Sequence, residues 1–284
     1  MNPVLACIDG GPQTVGVCDY AAWAARQLTA PLRFLHVLDR QPDPAPIHDL
    51  SGNIGLDAQE TLLAELTQWD EARSALAQQQ GREWLEAARA RASDQGLPDA
   101  ELLQRHGTLV DTLLDLQDQT RLVVLGQHPV PGSVPRLHLD RNVERVVRSL
   151  HKPVLVTTTH FRAPDRVAIA FDGSPTGRKL IETLAASPFL RGLPGVLLTA
   201  GHQHDDISAQ QQWALDTLTA AGFALEARYQ DGPADAVLLD QIERQGADLL
   251  IMGAYGRSRI RELIVGSTTT TLLRTSPVPV LILR

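Results

Sequence analysis

Two segments of this chain repeat each other, and the repetition constrains its fold more than any other feature of the sequence. An apolar stretch that ends in Asp-Gly occurs at 4–10 and recurs at 167–173. Towards the end of each copy, an apolar stretch with a proline occurs at 152–156 and recurs at 278–282. The copies are offset by 163 residues at the start and by 126 at the end, so the first is longer by about 37. The chain is therefore interpreted as a tandem duplication with an insertion in its first half.

Within each copy, short apolar stretches alternate with helical ones. Strands that are almost wholly apolar and are separated by helices are typical of a parallel sheet with helices on both faces. We therefore predict two α/β domains, at 1–160 and 164–284, which a short linker joins. In the first copy, strands are predicted at 4–8, 32–38, 102–105, 122–125 and 152–156. In the second, strands are predicted at 167–171, 196–199, 224–229, 249–252 and 278–283, and helices at 176–187, 208–221 and 234–245.

The additional length of the first copy lies between its second and third strands. Prolines predict an extended loop at 41–47. The stretch 57–92 follows with apolar residues near helical spacing, and we expect Gly81 to break this helix in two. The helix is predicted to pack on the sheet and partly on a neighbouring element. Its apolar residues include Leu62, Leu66, Trp69, Leu76, Trp84 and Ala88.

Composition excludes several classes of function. Of the 284 residues, 43% are hydrophobic and 21% are charged, which is typical of a globular protein. The net charge of −7 argues against general binding of nucleic acid, because such proteins carry basic surfaces. Cys7 and Cys18 fit buried apolar positions and form no disulfide framework. No apolar run approaches the ~20 residues of a membrane span, and 1–10 lacks a basic leader, so we expect a cytoplasmic protein.

The end of the second copy carries a pattern of glycines that fits an anion site. Gly253 ends an apolar strand, Gly256 follows after two residues, and nine further residues lead to Gly266 and Ser267. Glycine lets the backbone approach a ligand closely and adopt positive φ angles. A helix is predicted to begin at Ser267, and helix N-termini favour phosphate because their first N–H groups are unpaired. The spacing Gly-x2-Gly-x9-Gly-Ser therefore predicts a phosphate-binding loop.

This motif resembles the nucleotide-binding motif of the ATP-binding universal stress proteins. Each copy resembles a domain of that family, through the Asp-Gly at the end of its first strand and the Pro-Val-Leu of its last strand. In the second copy these are Asp172-Gly173-Ser174-Pro175 and 278–282. The resemblance covers nearly the whole chain apart from the insertion. It implies two tandem Rossmann-like domains of the adenine nucleotide alpha hydrolase type, each a five-stranded parallel sheet in the order 3-2-1-4-5 between helices.

The resemblance also implies a site for ATP between the ends of the first and fourth strands of the second domain. Asp172 would lie beside the ribose or the phosphates, with Mg²⁺ bound together with the nucleotide. Ala200, at the end of the second strand, would lie beside the adenine. Met252 and Gly253 would line the ribose side.

The phosphates would be held at the loop and at the start of the following helix. Backbone N–H groups and hydroxyls would make these contacts, as the family resemblance implies. The residues concerned are Gly256, Gly266, Ser267 and Thr268.

The family also pairs its domains through the last strand of each. In this chain, 154–156 and 278–283 would then pair as antiparallel edges and form an internal pseudo-dimer. An apolar edge strand needs covering in any case, which gives the pairing independent physical support. A homodimer of whole chains is a further expectation, and the sequence identifies no protein partner.

The first copy departs from the nucleotide-binding motif. The stretch 126–129 reads Gly-Gln-His-Pro where the second copy has Gly-Ala-Tyr-Gly, and Asp140-Arg141 replaces Gly266-Ser267. A carboxylate at this place would repel an anion, and a proline removes an N–H group. We therefore predict that the first copy does not bind ATP in the manner of the family. Its histidines and Asp140 lack a firm ligand spacing, so a surface loop is favoured over a metal site.

Three functions fit these residues. The favoured one is a stress-response or regulatory protein whose second domain binds ATP and whose output is a changed conformation or partner. The alternatives are a slow Mg²⁺-dependent ATPase that uses Asp172, and a scaffold that binds no nucleotide. The sequence offers no nucleophile with a base and no base to activate water, so we expect negligible turnover.

Overall fold

A computed structural model gives the architecture of the chain. It describes residues 1–38, 56–127, 140–201, 205–254 and 267–284. Within these ranges, the side chains at 56–66, 68, 70, 205 and 267 are not described. The loop predicted at 41–47 lies outside the described residues.

Strands and helices alternate along the described part of the first half. The strands are β1 (Val4–Cys7), β2 (Leu32–Leu38), β3 (Glu101–His106), β4 (Leu122–Gly126) and β5 (Val154–Thr157). The helices are α1 (Thr14–Leu28), α2 (Leu56–Asp94), α3 (Leu109–Leu116) and α4 (Arg141–Ser149), with a 3-10 turn at Gln117–Gln119.

The second half repeats this alternation without the long insertion. Its strands are β6 (Val167–Ala170), β7 (Pro194–Ala200), β8 (Ala224–Gln230), β9 (Leu249–Gly253) and β10 (Val280–Leu283). Its helices are α5 (Pro175–Ala186), α6 (Asp205–Ala220), α7 (Ala234–Gln245) and α8 (Ser267–Thr275). The strands predicted in both halves agree with the observed ones to within about two residues at each end.

Local sequence explains where several helices begin and end. The hydroxyl of Ser174 accepts a hydrogen bond from Gly177 N at 3.0 Å and caps α5, whose first residue is a proline. Thr108 caps α3 by accepting from Asp111 N at 3.2 Å. Gly246 closes α7 with a left-handed φ of 59°, a conformation that glycine adopts at little cost.

All ten strands join one sheet in the order β3-β2-β1-β4-β5-β10-β9-β6-β7-β8. Within each half, all neighbouring strands are parallel. The order 3-2-1-4-5 is therefore confirmed in both halves, with the second half read from the opposite edge. The exact domain limits, 1–160 and 164–284, stay a prediction.

The two halves meet where β5 and β10 pair antiparallel at the centre of the sheet. Val280 lies opposite Val156, Leu281 opposite Leu155, and Ile282 opposite Val154. All six of these side chains are buried. The last-strand pairing implied by the family resemblance is therefore present within the chain, and it gives the molecule the form of an internal pseudo-dimer.

Helices cover both faces of the sheet. Successive side chains of a strand point to opposite faces, so Leu5 and Val4 belong to different hydrophobic clusters. The cluster of Leu5 contains buried residues of α3, α4, α7 and α8, and the cluster of Val4 contains buried residues of the other four helices. Each of the two hydrophobic clusters continues across both halves. In the central strand β10, Leu281 belongs to one cluster and Ile282 to the other. The halves therefore share their cores as well as their sheet.

Helix α2 runs unbroken through Gly81, so the expectation that this glycine breaks the helix was wrong. A Cβ at this position would lie 2.2 Å from Nε2 of Gln104 and 2.4 Å from Cδ2 of His36. The glycine therefore lets the helix lie directly against β2 and β3. This contact offsets the helical cost of glycine, which is about 1 kcal/mol.

The C-terminal part of α2 is attached to α1 by a buried ion pair. Arg91 donates from Nε and Nη2 to the two carboxylate oxygens of Asp19, at 2.6 and 2.7 Å. The Asp19 side chain is only 10% exposed. Earlier in the same helix, Trp69 and Leu76 are exposed. The prediction that the helix packs on the sheet is therefore confirmed for its C-terminal part.

The segment between the halves is held by Asp248, which is buried. Its Oδ2 accepts from the backbone N–H groups of Asp165 and Arg166, both at 3.2 Å, and its Oδ1 lies 3.1 Å from Nη1 of Arg162.

Among the helices of the described ranges, none is both long and apolar enough to cross a membrane.

Candidate functional site

A crevice of about 270 Å³ lies at the carboxyl ends of β6, β7 and β9. The starts of α7 and α8 close its sides. In a doubly wound sheet, ligands bind at this edge, where the strand order reverses direction. We call it the second crevice, and it is lined by Ala170, Phe171, Asp172, Gly177, Leu198, Ala200, Ala234, Leu238, Met252, Gly253, Thr268 and Thr269.

Five of the eight residues that the sequence predicts for cofactor binding line this crevice. They are Asp172, Ala200, Met252, Gly253 and Thr268. The structure therefore brings together residues from β6, β7, β9 and α8 that are far apart in the sequence.

The other three predicted residues belong to the loop and to the start of the helix that follows it. Gly256 and Gly266 lie outside the described residues. Ser267 is the first residue of α8, and its side chain is not described.

The position of Asp172 is fixed by a turn after β6. Gly173 has a φ of 69°, and Oδ1 of Asp172 accepts a hydrogen bond from Ser174 N at 3.0 Å. A Cβ at Gly177 would lie 2.7 Å from the same oxygen. Glycine at 177 is therefore required if the carboxylate is to lie against the first turn of α5, and Asp172 is oriented before any ligand arrives.

The far end of the crevice, at Ala200, is held by polar side chains around the end of β7. The hydroxyl of Tyr229 donates to the carbonyl of Gly201, which has a φ of 114°. Nε2 of Gln211 donates to Thr199 Oγ1 at 3.0 Å and to Arg228 O at 2.9 Å. These bonds fix the backbone where an adenine is expected.

The opposite end of the crevice carries hydroxyls at the start of α8. Thr268 lines the crevice, and Thr269 is buried with its Oγ1 3.3 Å from the carbonyl of Ala254. The first N–H groups of a helix have no partner within the helix, and the helix dipole places partial positive charge there. This end is therefore suited to an anion.

Sequence reasoning missed several residues of the second crevice. Ala234 and Leu238 come from α7, and their signal was the start of a helix directly after the edge strand β8. Thr269 belongs to the hydroxyl run after Gly266. Gly177 and Phe171 flank Asp172 and are detected only when the turn after β6 is seen in three dimensions.

An equivalent crevice of about 250 Å³ occupies the same place in the first half. The strand registers make Leu35 equivalent to Leu198, and Val37 to Ala200. We call it the first crevice, and it is lined by Cys7, Ile8, Asp9, Leu35, Val37, Thr108, Leu109, Val110, Leu125, Gly126, Asp140, Asn142, Val143 and Arg145.

The first crevice differs most at its helix N-terminus. Asp140 caps α4, and its Oδ1 accepts from Asn142 N at 2.7 Å. A carboxylate therefore precedes α4, whereas the residue before α8 in the sequence is Gly266. Asp9, in the place of Asp172, accepts at Oδ1 from Gly11 N at 2.9 Å.

The described residues offer little for nucleophilic or metal chemistry. Burial, with a smaller effect of Asp9, raises the pKa of Cys7 to about 12, so this thiol is protonated at neutral pH. Among the described residues, no group of three or more His, Cys, Asp or Glu side chains is placed to hold a metal ion. The histidines at 128 and 138 lie outside the described residues.

Comparisons with known proteins agree with this architecture. A model of the universal stress protein family matches residues 1–158 and 187–284. A universal stress protein of Synechocystis sp. (strain PCC 6803) is 34% identical over 287 aligned residues, which cover 100% of both chains. The crystal structure of a universal stress protein from Archaeoglobus fulgidus DSM 4304 superposes with a TM-score of 0.72 at 18% identity, over 100% of this chain and 96% of its own.

One further solved relative is a universal stress protein in complex with cAMP. It is 28% identical and covers 43% of this chain and 98% of its own, with a TM-score of 0.36. The family match spans most of the chain, and the Synechocystis relative is aligned over its full length. The chain therefore belongs to the universal stress protein family, as a member with two tandem domains.

Proposed function

We propose that the second crevice binds ATP together with Mg²⁺, and that the protein acts as a nucleotide-binding regulatory protein in a stress response. One observation carries this proposal. Asp172, Ala200, Met252, Gly253 and Thr268 come from separate elements of the chain and line a single crevice at the edge of the sheet where ligands bind.

The chemistry of the crevice changes from one end to the other in a way that fits a nucleotide. Leu198 and Ala200 offer apolar surface for a base. Met252 and Gly253 line the ribose side, and Gly253 carries no side chain, so a ribose can approach the backbone. Thr268 and the N-terminus of α8 offer hydroxyl and N–H donors for phosphates.

The crevice fits Mg²⁺ only if the nucleotide supplies further ligands. Asp172 is the one carboxylate among the described residues that line it. Mg²⁺ is commonly held by one or two carboxylates and by the phosphates of a substrate. Asp172 would hold the ion from the side of β6, and the ion would supply positive charge against the phosphates.

Binding without rapid turnover is the expected mode of action. No histidine and no second carboxylate line the second crevice, so its described residues provide no base beside Asp172 to activate water. We therefore infer that bound ATP changes the conformation or the partner of the protein. A cytoplasmic location and a homodimer of whole chains stay predictions.

The test is calorimetric titration of ATP–Mg²⁺ into the whole protein and into Gly266→Asp, which copies the first half. We expect one ATP per chain, and binding at least about tenfold weaker in the variant, because a carboxylate would face the phosphates. Ala72→Asp is the matched control. It adds the same charge on the exposed surface of α2 and should leave binding unchanged.

Other outcomes decide between the remaining hypotheses. No binding to the wild-type protein would contradict the proposal and favour the scaffold. Two ATP molecules per chain would contradict the prediction for the first crevice. Steady release of phosphate that is lost in Gly266→Asp would establish the slow ATPase instead.

A further inference from the structure

We propose that the first crevice is a second ligand site, which binds an uncharged nucleoside and excludes nucleotides. The residues of the first half alone support the existence of this site. The class of ligand rests on the proposed function, because a nucleoside is inferred from the similarity of the two crevices.

The first crevice is retained as a space. Protein interiors are close-packed, and voids larger than a water molecule are few. A crevice without a ligand could be filled by larger side chains, yet its volume is about 250 Å³ beside about 270 Å³ in the second half. Both volumes lie just below the usual range of ligand pockets, which begins at about 300 Å³. The size therefore suits a ligand as small as a nucleoside.

The floor of the first crevice is apolar at the positions where the second crevice would hold a base and the adjoining side of the ribose. Leu35, Val37 and Leu125 stand in the places of Leu198, Ala200 and Met252. The planar face of a base could lie on this surface as it would in the second half.

The two carboxylates at the ends of the floor accept hydrogen bonds and oppose negative charge. Asp9 stands where Asp172 would meet the ribose, and an ionised carboxylate accepts hydrogen bonds from hydroxyl groups. Oδ1 of Asp140 accepts a hydrogen bond from Asn142 N at 2.7 Å. The carboxylate therefore occupies one N–H group of the helix start, and it places negative charge where phosphates would lie. Arg145 lines the same side and is exposed to solvent. Hydroxyls are therefore accepted, and phosphates are disfavoured.

The wall beside Asp9 is supported by the insertion. The indole of Trp84, from α2, packs so closely on Gly10 that a Cβ there would lie 2.1 Å from it. The same indole meets the His36 ring edge-on at 5.2 Å between centroids, and Nδ1 of His36 lies 2.9 Å from the carbonyl of Ile8. The extra helix therefore fixes the strand end and turn that shape the crevice. A fixed wall reduces the entropy lost when a ligand binds.

The test uses equilibrium dialysis with labelled adenosine as the probe. The starting protein is full-length Ala200→Trp, in which an indole fills the second crevice. Val37→Trp is then added at the equivalent position of the first crevice. We expect Ala200→Trp to bind one adenosine per chain, and the double variant to bind it at least about tenfold more weakly. Circular dichroism and thermal unfolding establish that both variants are folded.

A second variant tests the charge argument without filling the space. Asp140→Gly, again on the Ala200→Trp protein, should bind ATP at least about tenfold more tightly than its parent, because the repelling carboxylate is gone. The proposal is overturned if Ala200→Trp binds no adenosine, or if Val37→Trp leaves that binding unchanged. Neither result depends on ATP binding in the second crevice, so the two proposals fail separately.

Discussion

The two crevices occupy equivalent places in the sheet, yet they face a ligand with opposite chemistry. In the second, the start of α8 offers Thr268 and the unpaired N–H groups of a helix. In the first, the start of α4 carries Asp140, which takes up an N–H group and adds a negative charge. The order of the strands therefore places both crevices at equivalent edges of the sheet, whereas a few residues at one helix start determine the charge that each crevice presents.

The halves also differ in what lies behind the turn after the first strand. In the first half, the indole of Trp84 from the long insertion packs against Gly10. In the second, the amide of Gln210 and the side chain of Ile207, both from α6, lie against Gly173. Each turn therefore packs against a neighbouring helix. In the first half the contact is made by an indole, whereas in the second half it is made by an amide and an aliphatic side chain. The insertion is therefore part of the first crevice's construction.

The largest loss of stability is expected at the junction of the halves. Leu155→Asp would place a carboxylate between β4 and β10, where the leucine is fully buried against Leu281. We expect the free energy of unfolding to fall by at least about 4 kcal/mol, because an unpaired charge would be buried. Urea unfolding measures this loss. Leu76→Asp, at an exposed position of α2, is the matched control and should change stability by less than about 0.5 kcal/mol.

A smaller loss of stability should follow when the ion pair between α2 and α1 is removed. Arg91→Ala leaves the buried Asp19 carboxylate without its cation. We expect a loss of about 2 kcal/mol, less than for a fully buried pair, because the Arg91 side chain is 44% exposed. The control is Arg89→Ala, whose partner Glu86 is exposed and whose ion pair should contribute little. Equal losses in urea unfolding for both variants would contradict a structural role for the Arg91 pair.

The smallest expected effect is a change in how stability depends on pH, and it arises from Cys7 in the first crevice. Burial raises the pKa of Cys7 to about 12, whereas the pKa of a thiol in the unfolded chain is about 8.5. Cys7 therefore contributes stability that is fully present below about pH 8.5 and is lost as the pH rises towards 12. Cys7→Ala, which copies Ala170 of the second half, should make the fall of stability above pH 8.5 less steep, by up to about 1.4 kcal/mol per pH unit.

Urea unfolding between about pH 9 and pH 11 measures that slope. Cys18 remains in the variant, and burial raises its pKa to about 12 as well, so part of the fall should persist. If stability falls with pH equally steeply after Cys7→Ala, the proposed contribution of Cys7 to that fall is contradicted.

The sequence predicted the architecture well because both copies show the same signals. Apolar strands with Asp-Gly ends and helical stretches between them recur, and the family resemblance supplied the strand order and the pairing of β5 with β10. Gly81 was misjudged because helix propensity is local, whereas the contact of that glycine with His36 and Gln104 depends on how the helix meets the sheet.

The site could be predicted only in part. Asp172, Ala200 and Thr268 were predicted from the family resemblance, which assigns roles to residues near the strand ends and at the start of the last helix. The contributions of Ala234 and Leu238 could not be read in this way, because α7 reaches the crevice through the packing of a helix on the sheet. In the first half, the altered loop predicted lost ATP binding but gave no sign that a crevice of nearly the same volume persists.

The antiparallel pairing of β5 and β10 has a consequence for how such a molecule can diversify. It directs the carboxyl ends of the strands in the two halves, and hence the two crevices, to opposite ends of one sheet. When two identical chains assemble in this way, a substitution in one gene alters both sites at once. Here the peptide chain itself joins the halves, so each site can change while its neighbour is preserved. Every molecule then carries the two crevices in a fixed one-to-one ratio, whatever its concentration.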